Sequence, residues 1–245
     1  AFNDGVITEL TQTFTALAAD STLRCIVLGG HGKAFCAGAD LNWMRAMAGY
    51  SWEQNRADAQ ALATYLDGLD PQRRVEEVQG LPGAALPALY ERCEKAPPLK
   101  LEDMVPAVTP DRQQVIFAGR NNLPLFTKFE KRFARTEKGQ IIGYNHQTMA
   151  AFTGPGYFVV EPAGDELVID YTQLPVQEDA PTDWPVIKPN NRGLSHFVYK
   201  NMKDYCRRVS RDVVIGHATK LGESLPHYFV LARRPPPEPP SEGSE

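Results

Sequence analysis

The sequence lacks any run of about twenty apolar residues, so it carries no segment built to span a bilayer as a helix. Its opening, AFNDGVITEL, lacks the basic flank and apolar stretch of a secretion signal, although a start at Ala1 fits a processed or truncated chain. The four cysteines, Cys25, Cys36, Cys93 and Cys206, are scattered with no C-x-x-C pair. That spacing argues against a zinc ribbon or a disulfide framework and fits reduced thiols in the cytoplasm. Cys36 reads as a small buried hydrophobe, not a nucleophile. His196, His217 and His227 have no ligand spacing, so no metal site is expected. Dense basic runs are also missing, and a net charge of −4 argues against a nucleic-acid surface. What is present is an ordinary globular composition, 42% hydrophobic and 23% charged over 245 residues. That length allows one large core or two small ones.

The chain changes character near residue 70. Before it, Val6, Ile7, Leu10, Phe14, Leu17 and Ala18 recur at helical spacing after Asn3 and Asp4 as caps. LRCIVLGG reads as a strand covered on both faces. SWEQNRADAQALATYLDG reads as a second helix, with Ser51 and Gln54 in capping-box register. Residues 70–100 read as a junction chopped by prolines, with one helix around Leu86 to Cys93. From about 101 to 234 the chain is β-rich: QQVIFAG, QIIGYNHQ, GYFVVEP, ELVIDYTQL, DVVIGHAT and HYFVLARR are separated by turn residues. EPAGDE reads as a hairpin turn, and FVYKNMKDYCRRVS as a strand passing into a turn, with a helix as the alternative. The expected fold class is therefore α+β, an α/β segment at 1–69 followed by a small antiparallel β-barrel-like domain. The tail at 235–245, rich in Pro and Glu, cannot form a core.

The stretch HGKAFCAGADLNWM, His31 to Met44, places a small-residue loop between the expected strand and a helix. Ala37, Gly38 and Ala39 keep the backbone bare, and Asp40 stands at the N-cap position ahead of Leu41. Free amides at a helix start suit an oxyanion or a phosphate. From Ala1 to Leu69 the chain resembles the crotonase superfamily of enoyl-CoA hydratases and isomerases, and most closely its methylglutaconyl-CoA hydratase-like branch. The resemblance implies that the Ala39 amide is one of two donors to a thioester oxygen that becomes an enolate. It also implies that Ala37, Gly38, Asp40 and Leu41 line coenzyme A. No resident cofactor is implied, since coenzyme A arrives as the substrate thioester.

The rest of the family pattern is broken. VQGLPGAALPALYERC keeps Val78, Gly80 and Cys93 at family spacing, but Ala84, Ala85 and Leu86 stand where three glycines belong. Ala88 and Val108 fall near the two glutamate positions, and neither can transfer a proton. The expectation is acyl-CoA binding with impaired crotonase-type chemistry. The β-rich end is similar in layout to small barrel domains related to lipocalin-like folds, which implies the alternative of a non-catalytic domain for a small apolar ligand. A structural or interaction protein is the third reading. Phe126, Phe129, Phe133, Tyr144, Phe158 and Tyr171 are the candidate lining residues. Tyr144, Asn145 and His146, with Asp170 and Tyr171, offer acid–base groups or simply exposed strand faces. KFEKRF and CRRVSR read as solvated basic faces.

Overall fold

The computed structural model describes residues 4–30, 52–146, 154–190 and 199–236. The loop residues Ala37, Gly38, Ala39, Asp40 and Leu41, together with Cys36, lie outside them. The chain forms two compact units, Ala1–Asn55 and Arg56–Glu245.

In the first unit, helix α1 spans Asp4–Ala18, where the apolar period places it. The expected strand at LRCIVLGG is not formed: residues 23–30 are irregular, with Val27 89% exposed and Ile26 and Leu28 exposed beside it. A strand apolar on both faces needs neighbours to pair with and layers to cover it. No strand lies among the other described residues of this unit.

In the second unit, helix α2, Trp52–Gly68, packs Leu62 and Leu66 into a core with the barrel wall. The residues expected as a junction hold two further helices. Helix α3 spans Pro71–Gly80 and begins where Asp70 accepts from the Arg73 amide at 3.0 Å. Pro71 opens it, at a position whose N–H would have no partner. A 3₁₀ turn, Gly83–Ala85, leads to α4, Leu86–Arg92, which is the helix expected there. Val75, Val78, Leu86 and Tyr90 pack with Val213, Ile215 and Val230 of the barrel. Val78, Ala84, Ala85, Leu86 and Ala88 therefore belong to helices laid against a sheet, with no glycine-rich amide loop among them.

The barrel is closed and antiparallel, with eight strands in sequence order. They are β1 (Val115–Asn121), β2 (Lys128–Arg135), β3 (Ile141–His146), β4 (Tyr157–Ala163), β5 (Glu166–Asp170), β6 (Met202–Ser210), β7 (Val213–Lys220) and β8 (Glu223–Arg233). Pairing of β1 with β8, Phe117 opposite Arg233, closes it. Closure removes the open edges that would otherwise template aggregation. EPAGDE is the tight β4–β5 hairpin, with Gly164 at φ 65°. A two-residue hairpin loop needs a positive φ of that kind.

Alternation sorts the side chains. Phe117, Phe133, Ile141, Phe158, Val160, Leu167, Ile169, Cys206, Val214 and Leu231 belong to the buried interior cluster. Between them, Ala118, Val213, Ile215 and Val230 face α3 and α4. On another stretch of outer wall, Ala134, Ile142, Tyr144, Tyr157 and Val159 are covered by Ala180 and Trp184. A short helix, α5 (Leu101–Met104), plugs one end of the barrel with Leu99, Met104 and Val105. The Leu99 amide bonds the Asp165 carbonyl at 2.9 Å, and Arg208 pairs with Asp103. Arg135 reaches Asp111 at 2.7 Å and the carbonyls of Pro106, Ala107 and Thr109. Arg207 bonds Glu166 at 2.5 Å. CRRVSR is thus a set of half-buried anchors, whereas a solvated face was expected.

Candidate functional site: a buried polar centre in the barrel

The end of the barrel opposite α5 is chemically different. Lys131 on β2 faces Asn145 on β3 across a direct cross-strand pair. Tyr171, just beyond β5, and Asp204, near the start of β6, complete the group. Each of the four is at most 3% exposed. The Lys131 ammonium donates to Asn145 Oδ1 at 2.9 Å, to Asp204 Oδ2 at 3.1 Å and to the Tyr171 hydroxyl. The Tyr171 hydroxyl donates to Asp204 Oδ2 at 3.1 Å. The Asn145 amide donates to the Tyr171 hydroxyl at 3.1 Å and to the Gly156 carbonyl at 3.5 Å. Aromatic faces enclose the ammonium: its nitrogen lies 4.7 Å from the ring centre of Phe229, 5.1 Å from Tyr171, 5.2 Å from Phe158 and 5.8 Å from Phe129. Cation–π attraction strengthens as water is excluded.

Electrostatics fix the protonation of the phenol. Burial first, and the Asp204 carboxylate second, push the Tyr171 pKa well above its ordinary value. Tyr171 therefore remains a donor at physiological pH. The Cys206 thiol, two residues along the strand from Asp204, is pushed up chiefly by burial and offers no thiolate. Burial likewise raises Cys93, to about 11. Among the described residues, no group of three or more His, Cys, Asp or Glu side chains is placed to hold a metal.

The candidate lining residues divide. Phe133, Phe158 and Tyr171 are buried inside, and Phe129 packs against them. Tyr144 faces outward, 4.9 Å from the Trp184 ring. Phe126 stands 58% exposed in the β1–β2 loop. The acid–base constellation divides in the same way, because neighbours on a strand point to opposite faces. Asn145 and Tyr171 enter the centre, while Tyr144 and the exposed His146 are on the other side. Asp170 bonds the Thr172 amide at 2.8 Å and hydroxyl at 2.6 Å and pairs with Lys203 at 2.8 Å. His217 Nε2 donates to the Leu225 carbonyl at 2.8 Å and lies 3.0 Å from Ser224 Oγ, and its ring stacks on Tyr228. His196 lies outside the described residues.

Lys131 and Asp204 are the members that sequence reading missed. The signal was the alternation in KFEKRF, which puts Lys131 on one strand face with Phe129 and Phe133.

Comparison with known proteins bears on the N-terminal segment. Residues 1–67 match the family model for Enoyl-CoA hydratase/isomerase, so this segment is related to the crotonase superfamily. Over 42 residues the chain is 43% identical to the 1,2-epoxyphenylacetyl-CoA isomerase of Escherichia coli (strain K12). That alignment covers 17% of this chain and 16% of the relative. No solved structure matches the chain.

Proposed function

We propose that the chain binds acyl-CoA thioesters through its first segment and that its crotonase-type turnover is impaired. The match of residues 1–67 to the Enoyl-CoA hydratase/isomerase family carries this reading. In it, the Ala39 amide is the oxyanion donor, and Ala37, Gly38, Asp40 and Leu41 follow the coenzyme. Amides fixed at a helix start stabilise charge that develops on a thioester oxygen. Hydration also needs a carboxylate to activate water and an acid to protonate carbon. Ala88 sits in a helix on the barrel and Val108 is 92% exposed, so neither position supplies such a group. The reading places the chain in the cytoplasm, in acyl-CoA or fatty acid metabolism. Calorimetry with acetyl-CoA and spectrophotometric hydration of crotonyl-CoA and 3-methylglutaconyl-CoA test it. Binding without turnover is expected. Lack of binding refutes the recognition, and turnover at an ordinary enzyme rate refutes the impairment.

A second reading concerns the barrel: its interior around Lys131 and Asp204 takes a small, largely apolar molecule. The aromatic interior and the four-residue polar centre support it, since ligand sites combine apolar walls with a few convergent polar groups. Saturation-transfer NMR with toluene and benzyl alcohol tests it, and no transfer from either at millimolar concentration refutes it.

A further inference from the structure

The hydrogen bonds of the polar centre are unequal to its capacity in one respect. Lys131 has three N–H donors, and they are engaged by Asn145, Asp204 and Tyr171. Both amide hydrogens of Asn145 have acceptors, and the Tyr171 phenol has one. On the acceptor side, Asp204 Oδ2 serves Lys131 and Tyr171. Asp204 Oδ1 is buried and has no partner among the described residues. A carboxylate oxygen taken out of water without a donor is costly, and ligands or ordered water are the usual remedies. The wall beside it is small: Ala218 lies directly opposite Asp204 on β7.

From this we infer that the barrel takes a neutral ligand whose head donates a hydrogen bond to Asp204 Oδ1, an alcohol or amide on an apolar body. The inference rests on the second reading above. An anionic head is disfavoured because every donor of the centre is already engaged and the remaining oxygen is negative. A cationic head is disfavoured because Lys131 already neutralises Asp204 and occupies the faces of four rings. A neutral donor satisfies the orphan oxygen without burying further charge.

The test compares four probes of one size on the full chain by ligand-observed NMR titration: benzyl alcohol, its isomer anisole, toluene and benzoate. Benzyl alcohol is expected to bind at least tenfold more tightly than anisole or benzoate. In Asp204→Asn, the amide oxygen turns to Lys131 and presents its NH₂ to the ligand, so preference should move to anisole and benzoate. Should that variant fail to fold, the double variant Lys131→Met, Asp204→Leu keeps an apolar interior and should bind toluene with no preference for the alcohol. Equal binding of toluene, anisole and benzyl alcohol by the wild type would leave the barrel reading standing and overturn the donor assignment, with ordered water as the partner of Oδ1. Absence of binding by all four probes would overturn both.

Discussion

At the scale of single residues, the pair Lys131–Asp204 decides most. Its two charges sit 3.1 Å apart with side chains 3% and 2% exposed. Burying such a pair brings little net stability, but removing one partner strands the other, at a cost of about 3–5 kcal/mol. Lys131→Met is therefore expected to destabilise by about that amount in urea denaturation, and the double variant Lys131→Met, Asp204→Leu to recover most of the loss. Equal destabilisation by both would show that the pair's partners, and not its charge balance, matter. Asp170 shows a different balance. Burial raises its pKa, but hydrogen bonds from Lys203, Thr172 and Gln173 outweigh burial and hold it below the ordinary value. Lys203 is raised, chiefly by its bond to Asp170. A depressed carboxyl contributes stability that is present above about pH 4, the unfolded pKa, and lost as pH falls through the folded one. Lys203→Met should thus destabilise at pH 7 and converge with the wild type as pH falls through the lowered Asp170 pKa, as followed by urea denaturation.

Elements were the more legible scale. Six of the eight strands were readable from Val, Ile, Tyr and Phe between turn residues, because closure and outer layers bury most strand faces, and β6 stood open between strand and helix until its pairing with β5 and β7. The remaining strand, β2, was hidden by its charges: KFEKRFAR places Lys131 inward and Arg132 outward, 3.1 Å from Glu130. Helix α3 was hidden by its prolines, because Pro71 reads as a breaker until Asp70 is recognised as its cap. LRCIVLGG misled in the opposite sense, since apolar content alone cannot make a strand without neighbours. The corner between α2 and α3 depends on Arg74, whose guanidinium bonds the Leu66 and Leu69 carbonyls at 2.8 and 3.0 Å and Asp212 at 2.6 Å. Arg74→Met leaves two helix-end carbonyls without that donor and should cost about 1–3 kcal/mol in thermal or urea denaturation. Gly143→Ala should cost about 1–3 kcal/mol as well, because an added Cβ meets the Phe158 ring and the Arg132 carbonyl.

Across the whole molecule, the two units carry different kinds of information. The barrel unit is defined by packing, and its polar centre could be found only once the strands were paired. Lys131, Asn145, Tyr171 and Asp204 come from four separate places in the chain. The loop at Ala39 lies outside the described residues, so its reading rests on the small residues Ala37, Gly38 and Ala39 and on the family match of residues 1–67. Limited proteolysis should leave a resistant fragment that begins before Leu62 and retains α3 and α4, since their apolar faces share a core with the barrel. A first cut between Pro71 and Arg92 would contradict that packing.

Recognition of acyl-CoA by backbone amides of the first segment, as proposed above, is tested by calorimetry with acetyl-CoA on Ala39 variants. Ala39→Pro removes the donor N–H, whereas Ala39→Val keeps it and crowds the approach. Loss of one oxyanion donor typically removes about 2.7–4 kcal/mol of transition-state stabilisation, and ground-state affinity should fall by less because other contacts remain. With circular dichroism confirming that all three proteins fold alike, the account predicts wild-type binding that Ala39→Pro weakens more than Ala39→Val does. No binding by the wild type, or equal binding by all three, would contradict it.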